Sequence, residues 1–495
     1  MDHKTSSEEG SDIKKAGCWP SPGCHDKCGL LVTVKDGRIV KVRGNPDYPP
    51  TRDQGCGGRV PHFIDWLYHP DQLMHPLKRA GDRGENKWER ITWEQALDEI
   101  ADQLKQLKAG YGAECLAVKE GTYRSDLYGI RGRFLNLFGN PANVVAPGTV
   151  CLTNRMALCY ALAGTAAFTP KMDAVRCMVV NGWNFTETRE VRVWRPMRRR
   201  LKEGSLKLIV VDPRETEAAR NAHVWLQIRP GTDAALFMAW IHIIIQEGLY
   251  DETFVNEWTF GFEQLKQRAS EYTPERVAEI TWVSSEKIRE SARMYATNKP
   301  SILNWGVASD QIGLNSIRVE QARMCLRAIT GNMAVHGGET WEGPGPRING
   351  KMGVRDAMLQ LDEKLPPGQK QKQLGADRFK LMTWPGYELM NRVYREHYGI
   401  PLCMSGHNVA AHEPAVWRAI ITGKPYPVKA LITWGSNPLL NSANTKMVYQ
   451  ALKSPNLALH VVLEHFMTPS ALLADYVLPA ARSSRRGSAA ACGSR

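Results

Sequence analysis

The chain has 495 residues, 43% of them hydrophobic and 23% charged, an ordinary globular balance that excludes a disordered chain. It is too long for one core and predicts several domains, or domains with segments that cross between them. The formal charge is +13, but the basic residues are scattered with no interleaved aromatic platform, which argues against a nucleic-acid partner.

No apolar run reaches the ~18 residues that a membrane span needs. The longest, ALFMAWIHIII at 235–245, fits a buried helix. The opening residues MDHKTSSEEGSDIKK carry neither an apolar signal core nor a twin-arginine signal, so the expected location is cytoplasmic with no direct membrane span.

Three cysteines follow in CWPSPGCHDKCG, at Cys18, Cys24 and Cys28, and a fourth, Cys56, stands in RDQGCGG. In a reducing cytosol such a cluster points to metal rather than to disulfides. The spacing C-x5-C-x3-C-x27-C lacks the tight paired knuckles of a zinc ribbon. A 4Fe–4S cluster suits it best; zinc and incidental thiols are the alternatives. Between Cys28 and Cys56, LLVTVKDGRIVKVRGNP reads as a hairpin turning at Asp36-Gly37, which lets distant cysteines converge. Cys115, Cys159, Cys177, Cys325 and Cys403 lie in apolar or mixed segments and read as packing residues.

ITWEQALDEIADQLKQLKAGYG predicts a helix capped by Thr92, with Ala96, Ile100, Leu104 and Leu107 on one face and Gly110 and Gly112 at its end. Further on, RVWRPMRRRLK (192–202) reads as a solvated helix face or as an attractor for an anionic group.

Two later stretches look alike. AVRCMVVNGWNFTET and PVKALITWGSNPLLNSAN are each a continuous apolar run, as a strand buried on both faces requires, followed by a Gly-x-Asn turn. The turns are Gly182-Trp183-Asn184 and Gly435-Ser436-Asn437. SLKLIVVDPRETEAA adds a strand that ends in Asp212-Pro213-Arg214, and another begins near Val461. Strands alternating with helices predict a doubly wound, mostly parallel α/β architecture. Ligands bind such sheets at the carboxyl ends of the strands, where Asn184, Asp212 and Asn437 fall. The alternative is that these residues only cap the turns that come next.

In order, the cysteine cluster with its hairpin, KWERITWEQALDEIADQL, RFLNLFGNPAN, the two Gly-x-Asn strand ends, VDPRETEAA, RPGTDAALF and TPSALLADYVLP form a series. From Cys18 to about Pro479 this series resembles the molybdopterin oxidoreductases of the dimethyl sulfoxide reductase family, in the acetylene hydratase and thiosulfate/polysulfide reductase branch. The resemblance implies an α/β fold: a small N-terminal Fe–S domain with a β-hairpin, followed by two doubly wound α/β domains. The implied bounds are 1–66 for the cluster domain, 67–150 plus 335–480 for a discontinuous pterin-binding domain, and 151–334 for a dinucleotide-binding domain. Residues 481–495 read as a disordered or frame-shifted tail. Because the family continues into a closing C-terminal domain, the expectation is that this chain is truncated before it.

The implied cofactors are one 4Fe–4S cluster, on Cys18, Cys24, Cys28 and Cys56, and a bis-molybdopterin guanine dinucleotide carrying Mo or W. By the family pattern Asn184, Asp212 and Asp233 would grip one guanosine diphosphate arm. Gly182 and Gly231 would let backbone amides approach phosphate, and Arg214 would offset its charge. Gly435, Ser436 and Asn437 would approach the second pterin. Cys151, in APGTVCLTNRMA, stands where this branch ligates the metal, and a soft thiolate suits it. Gly58 stands where redox members carry a basic residue, with Arg59 beside it. His25, followed by Asp26, stands where acetylene hydratase has its acid.

The resemblance therefore implies a two-electron oxidoreductase acting through oxygen or sulfur on a small-molecule substrate. Its cluster would relay electrons to a ferredoxin-like partner subunit. Catalytic candidates are Cys151, His25 and Asp26, with His336 and His407 behind them. The rivals are a non-redox hydratase and an inactive metal-binding remnant.

Overall fold

The computed structural model describes residues 11–17, 28–48, 62–121, 128–146, 155, 158–159, 162–163, 168–170, 173–187, 191–304, 306–310, 313, 315–341, 359–399, 401–402 and 409–480. At the front, β1 (Ser11–Gly17), β2 (Gly29–Lys35) and β3 (Arg38–Gly44) form an antiparallel sheet in that order. Asp36 and Gly37, at φ 49° and 73°, make the turn, supplying the two left-handed residues that a tight hairpin needs. SDIKKAG has no apolar alternation, and β1 is an edge strand held by backbone pairing from Ser11–Lys35 to Gly17–Gly29. Cys28 is buried beside Leu30 and Val32 under this sheet.

A parallel sheet comes next, built from β9 (Cys177–Asn181), β10 (Lys207–Val211), β11 (Val224–Leu226) and β12 (Ser301–Asn304) in the order β11-β10-β9-β12. Cys177 and Val179 face one core, with the helices Asp233–Gln246, Ser285–Thr297 and Ser316–Ile329. Met178 and Val180 face the other, with Phe185 and Met197. Burial on both faces is why β9 reads as an unbroken apolar run. The apolar stretch at 235–245 lies within the buried helix Asp233–Gln246.

The largest sheet draws its strands from both halves of the chain. They are β4 (Leu77–Arg79), β5 (Trp88–Arg90), β6 (Leu116–Glu120), β7 (Val144–Val145), β14 (Ala430–Trp434), β15 (Leu459–Glu464) and β16 (Tyr476–Pro479). Their order is β5-β4-β16-β15-β14-β6-β7. Helix Trp93–Tyr111, capped at Thr92, covers one face through Ala96, Ile100 and Leu104. Trp417, Ile420, Val448 and Leu452 cover the other. A small antiparallel pair, β8 (Phe168–Pro170) with β13 (Glu339–Trp341), completes the described strands.

The two large sheets contain the same unit. β11-β10-β9-β12 matches β16-β15-β14-β6 in order and, within these four, in parallel direction. The registers also match: Asn181 pairs with Val211 as Trp434 pairs with Leu463, and Asn304 pairs with Val180 as Lys119 pairs with Thr433. From β9 the chain moves to β10 on one side, while β12 lies on the other. The unit therefore has a topological switch point at the carboxyl end of its central strand, and the described residues form this unit twice.

Candidate functional site

At the first switch point the backbone closes tightly. A β-carbon on Gly306 would run into the carbonyl oxygens of Asn181 and Gly182. Gly182 turns away at φ 61° and its amide donates to the Val211 carbonyl at 3.0 Å. The second switch point repeats this contact: a β-carbon on Gly121 would run into the Gly435 carbonyl, and the Gly435 amide donates to Leu463 O at 3.3 Å, with φ 55°. Only glycine permits both approaches.

Carboxylates stand beside both. Asp212 comes directly after β10, is 8% exposed, and accepts from the Arg214 amide at 2.8 Å. Burial pushes its carboxyl upward from the usual range, the charges on Asp233 and Glu187 add to this, and the Arg214 amide and guanidinium oppose it. The acid at the end of the second strand is where a Rossmann-type unit grips ribose. Asp233 opens helix Asp233–Gln246 and accepts from Asn181 Nδ2 at 2.7 Å. The Asn181 amide oxygen is buried without a hydrogen-bond partner among the described residues. By register, the counterpart of Asp212 is Glu464, at the end of β15. Burial pushes its carboxyl up as well, and it accepts from the His465 amide at 2.8 Å.

Several residues expected from the sequence do gather at these edges. Gly182, Asp212, Arg214, Gly231 and Asp233 lie along the carboxyl edge of the first sheet; Gly435, Ser436 and Asn437 continue from the central strand of the second. Beside Gly231 (φ 84°) and Gly435 there is open space where a β-carbon would stand. Asn184 Oδ1 accepts from Thr186 Oγ1 at 3.0 Å. Asn437 Oδ1 accepts from Ser470 Oγ at 2.6 Å, and Ser436 Oγ from Asn441 Nδ2 at 3.2 Å. Asn184 thus uses this oxygen in a local turn, as the capping alternative anticipates, whereas that of Asn437 takes a bond from Ser470, distant in sequence. Gly121, Gly306, Glu464 and Glu187 escape sequence reasoning; the repeated strand ends were a signal for Glu464.

Cys18, Cys24, His25, Asp26, Cys56, Gly58, Arg59, Cys151, Cys403, His407 and the tail 481–495 lie outside the described residues. Of the cluster cysteines, Cys28 is described and is 1% exposed. Cys115 and Cys325 are pushed up to about 11, and Cys159 and Cys177 to about 12, in each case by burial first. They remain thiols at neutral pH and serve as packing. His336 sits in the open, 3.3 Å from Asp173. Among the described residues no helix is long and apolar enough to cross a membrane.

The residues of the two crevices suit a ligand with two dinucleotide-like arms. The glycine contacts, the open space beside Gly231 and Gly435, the buried carboxylates and the unsatisfied Asn181 oxygen occur where such arms would lie.

Comparison with known proteins gives the family. The pattern of the molybdopterin oxidoreductase family matches residues 73–484, and that of the molybdopterin oxidoreductase Fe4S4 domain matches residues 21–58. Acetylene hydratase of Syntrophotalea acetylenica is 37% identical over 459 residues, covering 92% of this chain and 61% of the relative. The F420-dependent formate dehydrogenase subunit alpha of Methanocaldococcus jannaschii is 30% identical, covering 93% of this chain and 63% of the relative. The solved structure of acetylene hydratase from Pelobacter acetylenicus superimposes with a TM-score of 0.81 at 36% identity, over 92% of this chain and 62% of that one. The chain thus spans about three fifths of the length of these relatives. With its Fe4S4 segment at the front and its paired α/β units behind, this chain belongs to the molybdopterin oxidoreductase family.

Proposed function

We propose that the two switch points together hold a bis-molybdopterin guanine dinucleotide, one arm at each, and that the chain belongs to an enzyme of two-electron chemistry on a small-molecule substrate. The observation that carries this reading is the glycine contact made twice, Gly306 on Gly182 and Gly121 on Gly435. Asp212 and Asp233 accept from ribose and guanine donors of one arm, and Asn181 keeps Asp233 aimed by its 2.7 Å bond. Glu464 plays the part of Asp212 for the other arm. Gly231 and Gly435 leave room for backbone amides to meet phosphate, and Arg214 supplies positive charge there. Cys151 would be the protein's thiolate ligand to Mo or W, and Cys18, Cys24, Cys28 and Cys56 would hold a 4Fe–4S cluster. When bound, the metal supplies exchange of two electrons at substrate oxygen or sulfur. His25 or Asp26 would hold or deliver the proton. A ferredoxin-like subunit would take the electrons.

A second reading is a hydratase, favoured by the 37% identity to acetylene hydratase. There Asp26 or His25 would deliver a proton to one carbon of an unsaturated bond, water would add its hydroxyl to the other and return a proton to the acid, and no electrons would leave the protein. Turnover assays with and without an artificial electron acceptor separate the two. The redox reading predicts no turnover without acceptor; product formed in its absence would favour the hydratase.

A further inference from the structure

Two exposed side chains join the turns after β9 and β10. Glu187 closes the turn that Asn184 begins, its amide donating to Asn184 Oδ1 at 3.4 Å. Arg214 leaves the turn at Asp212. Arg214 Nη2 donates to both oxygens of Glu187, at 3.0 and 3.3 Å. The pair lies across the carboxyl edge of the sheet, between the two strands whose ends carry Gly182 and Asp212.

Its composition is unusual for an anion site. Glu187 pairs with the Arg214 guanidinium and Asp212 accepts from the Arg214 amide, and the charges on Asp233 and Glu187 both push Asp212 upward. Arg214 cannot serve a phosphate group and remain paired to Glu187 on the same donors. Both partners are more than half exposed, at 67% and 59% of the side chain. An ion pair this exposed is weak and is screened by salt, so a more highly charged anion can displace the carboxylate.

We propose that Glu187 is a built-in competitor for Arg214, occupying the guanidinium until a diphosphate group displaces it, so that Glu187 sets the affinity and salt dependence of this crevice for phosphate-bearing ligands. Glu187 is a positioning residue here, acting through Arg214. The inference rests on the reading of the first switch point as a nucleotide site.

The test uses the full chain freed of cofactor, titrated calorimetrically with guanosine diphosphate, guanosine and inorganic pyrophosphate. Four forms are compared: the native chain, Glu187→Gln, Arg214→Gln and the double variant. All changes are on exposed side chains, so folding should persist, and circular dichroism checks this. Glu187→Gln should bind guanosine diphosphate about three- to fivefold more tightly at about 50 mM salt, with the gain gone near about 0.5 M. Inorganic pyrophosphate should gain likewise, which would mark the diphosphate as the recognised group. Guanosine should be unaffected, and in the Arg214→Gln background the gain should vanish. An unchanged affinity in Glu187→Gln would overturn the inference, as would a gain for guanosine. So would a gain that persists without Arg214, since that reports only through-space repulsion. A native chain that binds none of the three probes would instead remove the nucleotide reading itself, and the inference with it.

Discussion

Gly121, just past β6, lies against the carbonyl of Gly435, just past β14, with no room for a β-carbon between them. Gly110, inside helix Trp93–Tyr111, has nothing within 4 Å of that position. Gly121→Ala should therefore cost about 1–3 kcal/mol in urea unfolding and should impair cofactor retention. Gly110→Ala should be neutral or stabilising by up to about 1 kcal/mol. Equal stability of the two variants would contradict the close approach.

Asp212 is held with its carboxyl raised by burial. A carboxylic acid whose folded value lies above its unfolded one costs stability while ionised, and the cost disappears as pH falls through the folded value. Asp212→Asn should thus raise the Tm of the cofactor-free chain at pH 7–8, and the difference should shrink on acidification toward the carboxylate range. The same variant should bind guanosine diphosphate less tightly. On the proposed function, this is stability given up to keep a charge where the nucleotide would bind.

Much of this architecture was legible in the sequence. Asp36-Gly37 marked the hairpin, Thr92 marked the helix start, and the doubled apolar strand with Gly-x-Asn announced the repeated unit, because each signal is local. Strand β1 was not legible: Ile13 and its lysine neighbours have no alternation, and backbone pairing with β2 is what draws them into the sheet. Nor were Gly121 and Gly306, whose need for a missing side chain arises only when a strand distant in sequence arrives beside them. Glu187 was likewise hidden, since its pairing to Arg214 spans 27 residues. Asn181 was hidden for the same reason: Asn184 bonds locally to Thr186, while Asn181, three residues earlier, reaches Asp233.

His460, on β15, is completely buried between Thr433 Oγ1 at 3.1 Å and the Leu473 carbonyl at 3.2 Å. Burial pushes its imidazole down from 6.5 to about 4. The unfolded chain takes up a proton there first, so the stability His460 contributes is complete above about pH 6.5 and is lost as pH falls toward about 4. His460→Gln should flatten the dependence of unfolding free energy on pH across that window. An unchanged slope would show that other groups dominate it.

Helix Ser316–Ile329 is tied to β12 by buried charge. Glu320 meets Arg327 at 2.7 Å and Arg323 at 3.5 Å, Arg327 also pairs with Glu339, and both arginines donate to the Leu303 carbonyl. Glu320→Gln removes one of the two carboxylates, Glu320 and Glu339, that face these buried arginines and should cost about 3–5 kcal/mol in urea unfolding. Because β12 leads to Gly306, the variant should also loosen the first crevice, read as faster amide hydrogen exchange at Asn181 and Gly182.

The most direct measurement is the metal content of the chain purified without oxygen from a host that makes the pterin cofactor. About four iron atoms and about one molybdenum or tungsten per chain are predicted, with the molybdenum or tungsten lost in Cys151→Ser and the iron retained. Zinc in place of iron, or iron with neither heavy metal in the native chain, would contradict the account.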